Sequence, residues 1–169
     1  MLMFDFMRDL FGKKIPSIAV LVDGPNILRK AFSVDIQGVK REILTYGNIR
    51  VAKVYLDQYA SDKLQEAMTN QGFEIITTTG DVDVTMAIEA MEYVLDPKID
   101  MIALMTRDTD YRPVLVKARY HGKKTMIIAT DVAFSAALKN TEDILIIIKE
   151  KGSIEHFSNV IETTKEKKL

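Results

Sequence analysis

Apolar positions along the chain fall into short, recurring runs. SIAVLV (17–22), NIRVAKVYL (48–56), FEIITT (73–78), DMIALMT (100–106), KTMIIAT (124–130) and DILIIIK (143–149) are rich in β-branched residues, and several are nearly continuous rather than alternating. Runs of this kind suit strands covered on both faces, as in parallel sheets. Between them lie segments with helical spacing, clearest at 82–95, where Val84, Ala87, Ile88, Met91 and Leu95 form a stripe. Strands that alternate with helices imply right-handed βαβ units. The pattern therefore predicts an α/β fold: a Rossmann-like three-layer α/β/α sandwich around a mostly parallel sheet of about six strands.

The ends differ from the middle, which divides the chain into an amphipathic extension (1–14), one α/β domain (15–150) and a C-terminal segment (151–169). Phe4, Met7, Leu10 and Phe11 fall on one face of a possible N-terminal helix followed by Lys13 and Lys14, which makes this segment a candidate homodimer interface. After Gly152, the spacing of Ile154, Phe157 and Ile161 predicts a helix ending in a charged tail.

Composition narrows the chemistry. A chain of 169 residues with 47% hydrophobic content suffices for one domain with a substantial core. No apolar run reaches the length of a membrane span, and the first residues lack the pattern of a secretory signal, so a cytoplasmic protein is expected. With no cysteine, disulfides, thiol catalysis and cysteine-ligated zinc are excluded, and His121 and His156 are the only imidazoles. Any metal must be held mainly by oxygen. The formal charge of −1 gives no global attraction to nucleic acid, so such binding would rest on local cations.

In an open parallel sheet the functional crevice lies outside the carboxyl ends of the strands. Acidic residues gather there. Asp23 follows the first apolar run, Asp81 and Asp83 follow the third, and Asp108 and Asp110 follow the fourth; Asp57 follows the second and also fits an ordinary loop charge. Each acid taken singly also suits a turn or a helix N-cap. Their coincidence at several strand ends favours a site. Asp83 precedes Ala87, Ala90 and Val94, and Asp110 precedes Val114, so both sit at the head of apolar helical lines rather than on polar faces. Like charges crowded together either raise a pKa or bind a cation, and oxygen-only ligands favour Mg2+ or Mn2+. Such an ion suits phosphodiester hydrolysis. Asn26 presents an amide able to orient water, ligand or phosphate, and Thr106 and Thr109 offer hydroxyls beside the acids.

VLVDGPNIL, GDVDVTMAIEAMEY and LMTRDTDYRPVLVKARYHGKKTMII, in this order, resemble the NYN domain, and within it the LabA-like proteins, relatives of the PIN-domain nucleases. The resemblance covers roughly residues 17–149. It implies a PIN-like α/β/α fold, an acidic metal pocket and metal-dependent ribonuclease activity. It assigns Asp23, Asn26, Asp83, Asp108 and Asp110 to the site by their motif positions. Two departures stand out. Arg107 occupies a position where relatives carry a small residue, and Gly80-Asp81 precede Val82-Asp83 where many carry lysine. Arg107 could contact a substrate phosphate or pair with an acid, and Asp81 could add a metal ligand. Arg112, Arg29, Lys30, Lys40 and Arg41 are further candidates for RNA-backbone contact.

Two alternatives remain at this level. One is a non-catalytic NYN-fold module that binds RNA, a nucleotide or a protein in the same crevice. The other is a phosphatase of the haloacid dehalogenase type, since Asp81-Val-Asp-Val-Thr85 imitates that superfamily's Asp-x-Asp-x-Thr motif, although the motif normally ends a first strand.

Overall fold

The computed structural model describes residues 14–28, 34–130 and 142–148, together with the backbone of Ile154–Ser158. The N-terminal extension up to residue 13, Arg29, Lys30 and everything beyond residue 158 lie outside the described residues. In chain order the elements are β1 (Ser17–Asp23), a single-turn helix α1 (Gly24–Ile27), α2 (Ile36–Leu44), β2 (Asn48–Asp57) and α3 (Asp62–Asn70). There follow β3 (Glu74–Thr78), α4 (Val82–Leu95), β4 (Met101–Met105), a 3-10 turn at Thr109–Tyr111, α5 (Arg112–Tyr120), β5 (Lys124–Thr130), β6 (Ile144–Ile148) and β7 (Ile154–Ser158).

The six apolar runs are the first six strands. They pair in parallel, in the order β3-β2-β1-β4-β5-β6, and β7 closes the far edge antiparallel to β6. The sheet is thus the expected α/β type with helices on both faces. β4 is buried along its whole length, and β1 is buried from Ile18 onward. Ile18, Val20 and Val22 face one core with Val39 and Ile43 of α2 and Met68 of α3, while Ala19 and Leu21 face another with α4 and α5. This two-sided burial explains why the runs are continuous rather than alternating.

Two expectations need correction. The face of α4 that docks on the sheet carries Val82, Met86, Ala90 and Val94, whereas Val84, Ile88 and Leu95 are exposed. The helix is apolar on both sides, so apolar spacing alone cannot say which side the sheet takes. Residues 154–158 form a strand rather than the start of a helix, with Ile154 opposite Ile148 and Ser158 opposite Ile144. The edge of β6 offers unpaired backbone groups, and pairing with them outweighs a weak helical periodicity.

Strand order decides where the chemistry sits. From β1 the chain winds outward to β2 and β3, and α4 then carries it back across β2 and β1 to begin β4 on the other side. The reversal makes β1 and β4 neighbours and opens a crevice beyond their carboxyl ends. At the opposite edge the sheet is tied by Asp100, which accepts from the Ser17 N–H at 2.8 Å and from Lys14 Nζ at 3.0 Å. Burial opposes the charge of Asp100, but these donors hold its carboxyl below the usual range.

Candidate active site

β1 ends in Asp23, whose side chain is fully buried and serves as the N-cap of α1. Its Oδ1 accepts from the Asn26 N–H at 3.2 Å, and its Oδ2 accepts from Asn26 Nδ2 at 2.6 Å and from Thr106 Oγ1 at 3.0 Å. Pro25 stands in the first turn of α1, where its missing N–H costs nothing. Gly24 allows the turn to lie against β2, since a Cβ there would fall 2.6 Å from the Tyr55 carbonyl oxygen. The cap reading of Asp23 holds, and capping fixes its carboxylate at the carboxyl end of β1.

Thr106 is the bridge between the two central strands. It is fully buried just beyond β4, and besides donating to Asp23 its Oγ1 accepts from the Asp108 N–H at 3.1 Å. Asp108 Oδ1 in turn accepts from the Asp110 N–H at 2.9 Å, which starts the 3-10 turn. A continuous chain of hydrogen bonds therefore runs from Asn26 through Asp23 and Thr106 to Asp108 and Asp110. Thr106, expected among substrate contacts, acts as a positioning residue for two acids. Thr109 is half-buried in the same turn.

Asp83 reaches the crevice from the first turn of α4 and is half-buried there. Burial, and then the charges of Asp23, Asp108 and Asp110, raise its carboxyl above the ordinary aspartate value, against the lowering effect of a hydrogen bond from Tyr111. The Tyr111 hydroxyl donates to Asp83 Oδ1 at 3.2 Å, and burial with the charges of Asp23 and Asp83 keeps that hydroxyl protonated. Tyr111 joins the acidic group through this bond, and the strand-end reading passed over it. Its signal was the aromatic after Asp-Thr-Asp, which reads on sequence as a core position and is also buried.

Other candidates stand at the margin of this group or away from it. Asp81 is the exposed backbone cap of α4 and makes no side-chain cap bond, and Asp57 accepts from the Tyr59 N–H in a turn. Lys40 donates to the Gln71 carbonyl and lies over the Phe73 ring, and Arg41 pairs with Asp35 at 3.5 Å. Gln71 belongs to the turn into β3, so Lys40 serves the edge opposite the acids. A cavity of about 320 Å3 lined by Lys40, Arg50 and Gly72 lies at that same edge, away from the acidic crevice. Arg107 is half-buried beside the acids and Arg112 is exposed at the start of α5; among the described residues neither is held by an ion pair. His121 caps the far end of α5, so no described imidazole serves the crevice.

The donor set has the chemistry of a hard divalent cation site, since every candidate ligand is a carboxylate or amide oxygen and a cation would relieve the crowding felt by Asp83. Among the described residues no three acidic or histidine side chains converge closely enough to hold an ion as they stand. Burial first, and then the charges of Asp23, Asp108 and Asp110, bear on Asp83, and the group forms no closed cage.

Residues 17–150 match the NYN domain. The chain belongs to the NYN domain family. NYN domains are a PIN-like nuclease family, which agrees with the parallel sheet and the acidic edge described above. A relative from Methanocaldococcus jannaschii, named only as an uncharacterized protein, is 48% identical over 138 residues, or 82% of this chain and 58% of that protein. This NYN chain thus spans less than two thirds of that relative's length. Among the described residues no helix is long and apolar enough to cross a membrane.

Proposed function

We propose that this NYN chain is a metal-dependent ribonuclease of the LabA-like type that hydrolyses RNA phosphodiester bonds in a cytoplasmic setting. The observation that carries the reading is the gathering of Asp23, Asp83, Asp108 and Asp110 at one edge, where burial first and then the charges of the other three raise the Asp83 carboxyl. Asp83, Asp108 and Asp110, with Asp23 behind them and Asp81 at the rim, would hold Mg2+ or Mn2+. When bound, such an ion supplies charge to the phosphoryl oxygens and lowers the pKa of a coordinated water.

The remaining work belongs to the chain itself. Asn26 and Thr106 fix the orientation of Asp23, and Tyr111 fixes that of Asp83. Arg107 and Arg112 flank the acids and can take RNA phosphates, a contact blind to sequence and sensitive to salt. In the hydrolysis a water oxygen attacks phosphorus as the bond to the leaving ribose oxygen breaks; the proton from the attacking water passes to a carboxylate or to solvent, and the leaving oxygen takes up a proton from solvent.

Incubation of the purified chain with end-labelled single-stranded RNA and Mn2+ tests this. Cleavage is expected, and Asp108→Asn should lower it roughly a hundredfold or more, beyond what loss of an outer-shell partner costs. Equal rates in parent and variant would end the proposal.

A second reading is favoured by Arg107, which places a guanidinium where it could hold an anion against the acids without metal. On that reading the chain binds RNA in the crevice and does not cut it. Mg2+ or Mn2+ would then leave the melting temperature unchanged while RNA still bound.

A further inference from the structure

We propose that the outer face of α4 and α5 is a two-fold interface between two copies of this chain. The two helices pack side by side on one face of the sheet, and their docked sides are Val82, Met86, Ala90 and Val94 on α4 and Val114, Leu115 and Ala118 on α5. Their outer sides are also apolar. Val84, Ile88 and Leu95 of α4 are 56–61% exposed, and Val116 and Tyr120 of α5 are 51% and 80% exposed. Single exposed hydrophobics are ordinary, but a set at helical spacing on two neighbouring helices of one sheet face points to an interaction surface.

Spacing and charge commit the occupant. Val84, Ile88, half-buried Met91 and Leu95 stand at i, i+4, i+7 and i+11, the repeat by which one helix seats against another. The exposed charge within α4 is acidic, Glu92, whereas the exposed charges of α5 beyond its first turn are basic, Lys117 and Arg119. Within the described chain neither Glu92 nor Arg119 is held by an ion pair, and Lys117 lies over the Tyr120 ring. A two-fold axis sets the α4 of one copy against the α5 of the other, so that the acidic and basic faces meet twice and the apolar stripes are covered. The N-terminal segment carries charges of both signs at Asp5, Arg8 and Asp9 and offers no such match. The surface is separate from the acidic crevice, though both of its helices begin there.

Light scattering after size exclusion, on the full chain across a concentration series, tests the interface. The parent should run at twice 19.1 kDa. Ile88→Lys should dissociate it. Glu92→Lys alone, and Lys117→Glu with Arg119→Glu, should each weaken association roughly tenfold or more, and combining all three in one chain should restore it to within about threefold. That restoration separates a direct pairing from a folding defect, which circular dichroism checks in parallel. A parent that stays monomeric, a dimer indifferent to Ile88→Lys, a failure of the combined reversal, or a dimer abolished by removing residues 1–13 would overturn the proposal.

Discussion

Replacing Thr106 with valine removes one oxygen atom and severs both links that Thr106 makes between the central strands. The Oγ1 donates to the buried Asp23 at 3.0 Å and accepts from the Asp108 N–H at 3.1 Å. A hydrogen bond to a charged group is worth about 1.5–3 kcal/mol and a neutral one about 0.5–1.5 kcal/mol. Asp108 lies partly open to water, which can serve its N–H in the variant, so the total loss is about 2–4 kcal/mol. For a chain of this size that lowers the melting temperature by roughly 4–16 °C. Thr106→Ser keeps the hydroxyl and loses one buried methyl, about 1 kcal/mol. Urea unfolding followed by circular dichroism compares the three proteins. If valine and serine destabilise equally, or valine shifts the midpoint by no more than the methyl loss, Thr106 is a packing residue and the proposed bridge is wrong.

Three further perturbations probe the same frame. Because the folded carboxyl of Asp83 is raised above its unfolded value, its charge works against folding at pH above the raised value, and that burden fades as pH falls through it. Asp83→Asn should therefore be more stable than the parent near pH 7 without divalent ions, with the gap narrowing as pH falls, as urea midpoints will show; a parent more stable than the variant at neutral pH refutes this. Glu89 of α4 accepts from Lys53 Nζ at 2.9 Å and from the Tyr55 hydroxyl at 2.7 Å, and although burial opposes its charge these donors hold its carboxyl below the usual value. Its stabilisation is present above the unfolded glutamate value and is lost as pH falls through the lowered one, so Glu89→Ala should cost about 2–3 kcal/mol at neutral pH and less in acid, read by the same titration. In Gly24→Ala the new Cβ would meet Leu56 Cδ2 at 2.3 Å and the Tyr55 carbonyl at 2.6 Å, so thermal unfolding should show a loss of about 1–3 kcal/mol, and an unchanged midpoint would mean that α1 shifts freely.

The main lines of the fold were legible because two-sided burial leaves a local trace: strands such as MIALM must be apolar throughout. The acids at strand ends were legible for a related reason, since the rule for parallel sheets turns a position in the sequence into an edge of the molecule. Partnerships were not. Thr106 finds Asp23 across 83 residues, and Tyr111 finds Asp83 across 28, only because the chain reverses between β3 and β4 and sets β4 beside β1. No local pattern states that adjacency.

What the sequence by itself determined was which segments seek burial and which carboxylates stand where they stop, because hydrophobic periodicity is a property of neighbouring residues. What only the tertiary structure decided was which faces and partners those segments take. The outward stripe of α4, the pairing of residues 154–158 with β6 and the shared field of the acids depend on what lies across the sheet. A helix apolar on both sides has no internal reason to choose one, and a carboxylate has no raised proton affinity until folding buries it and brings others near it.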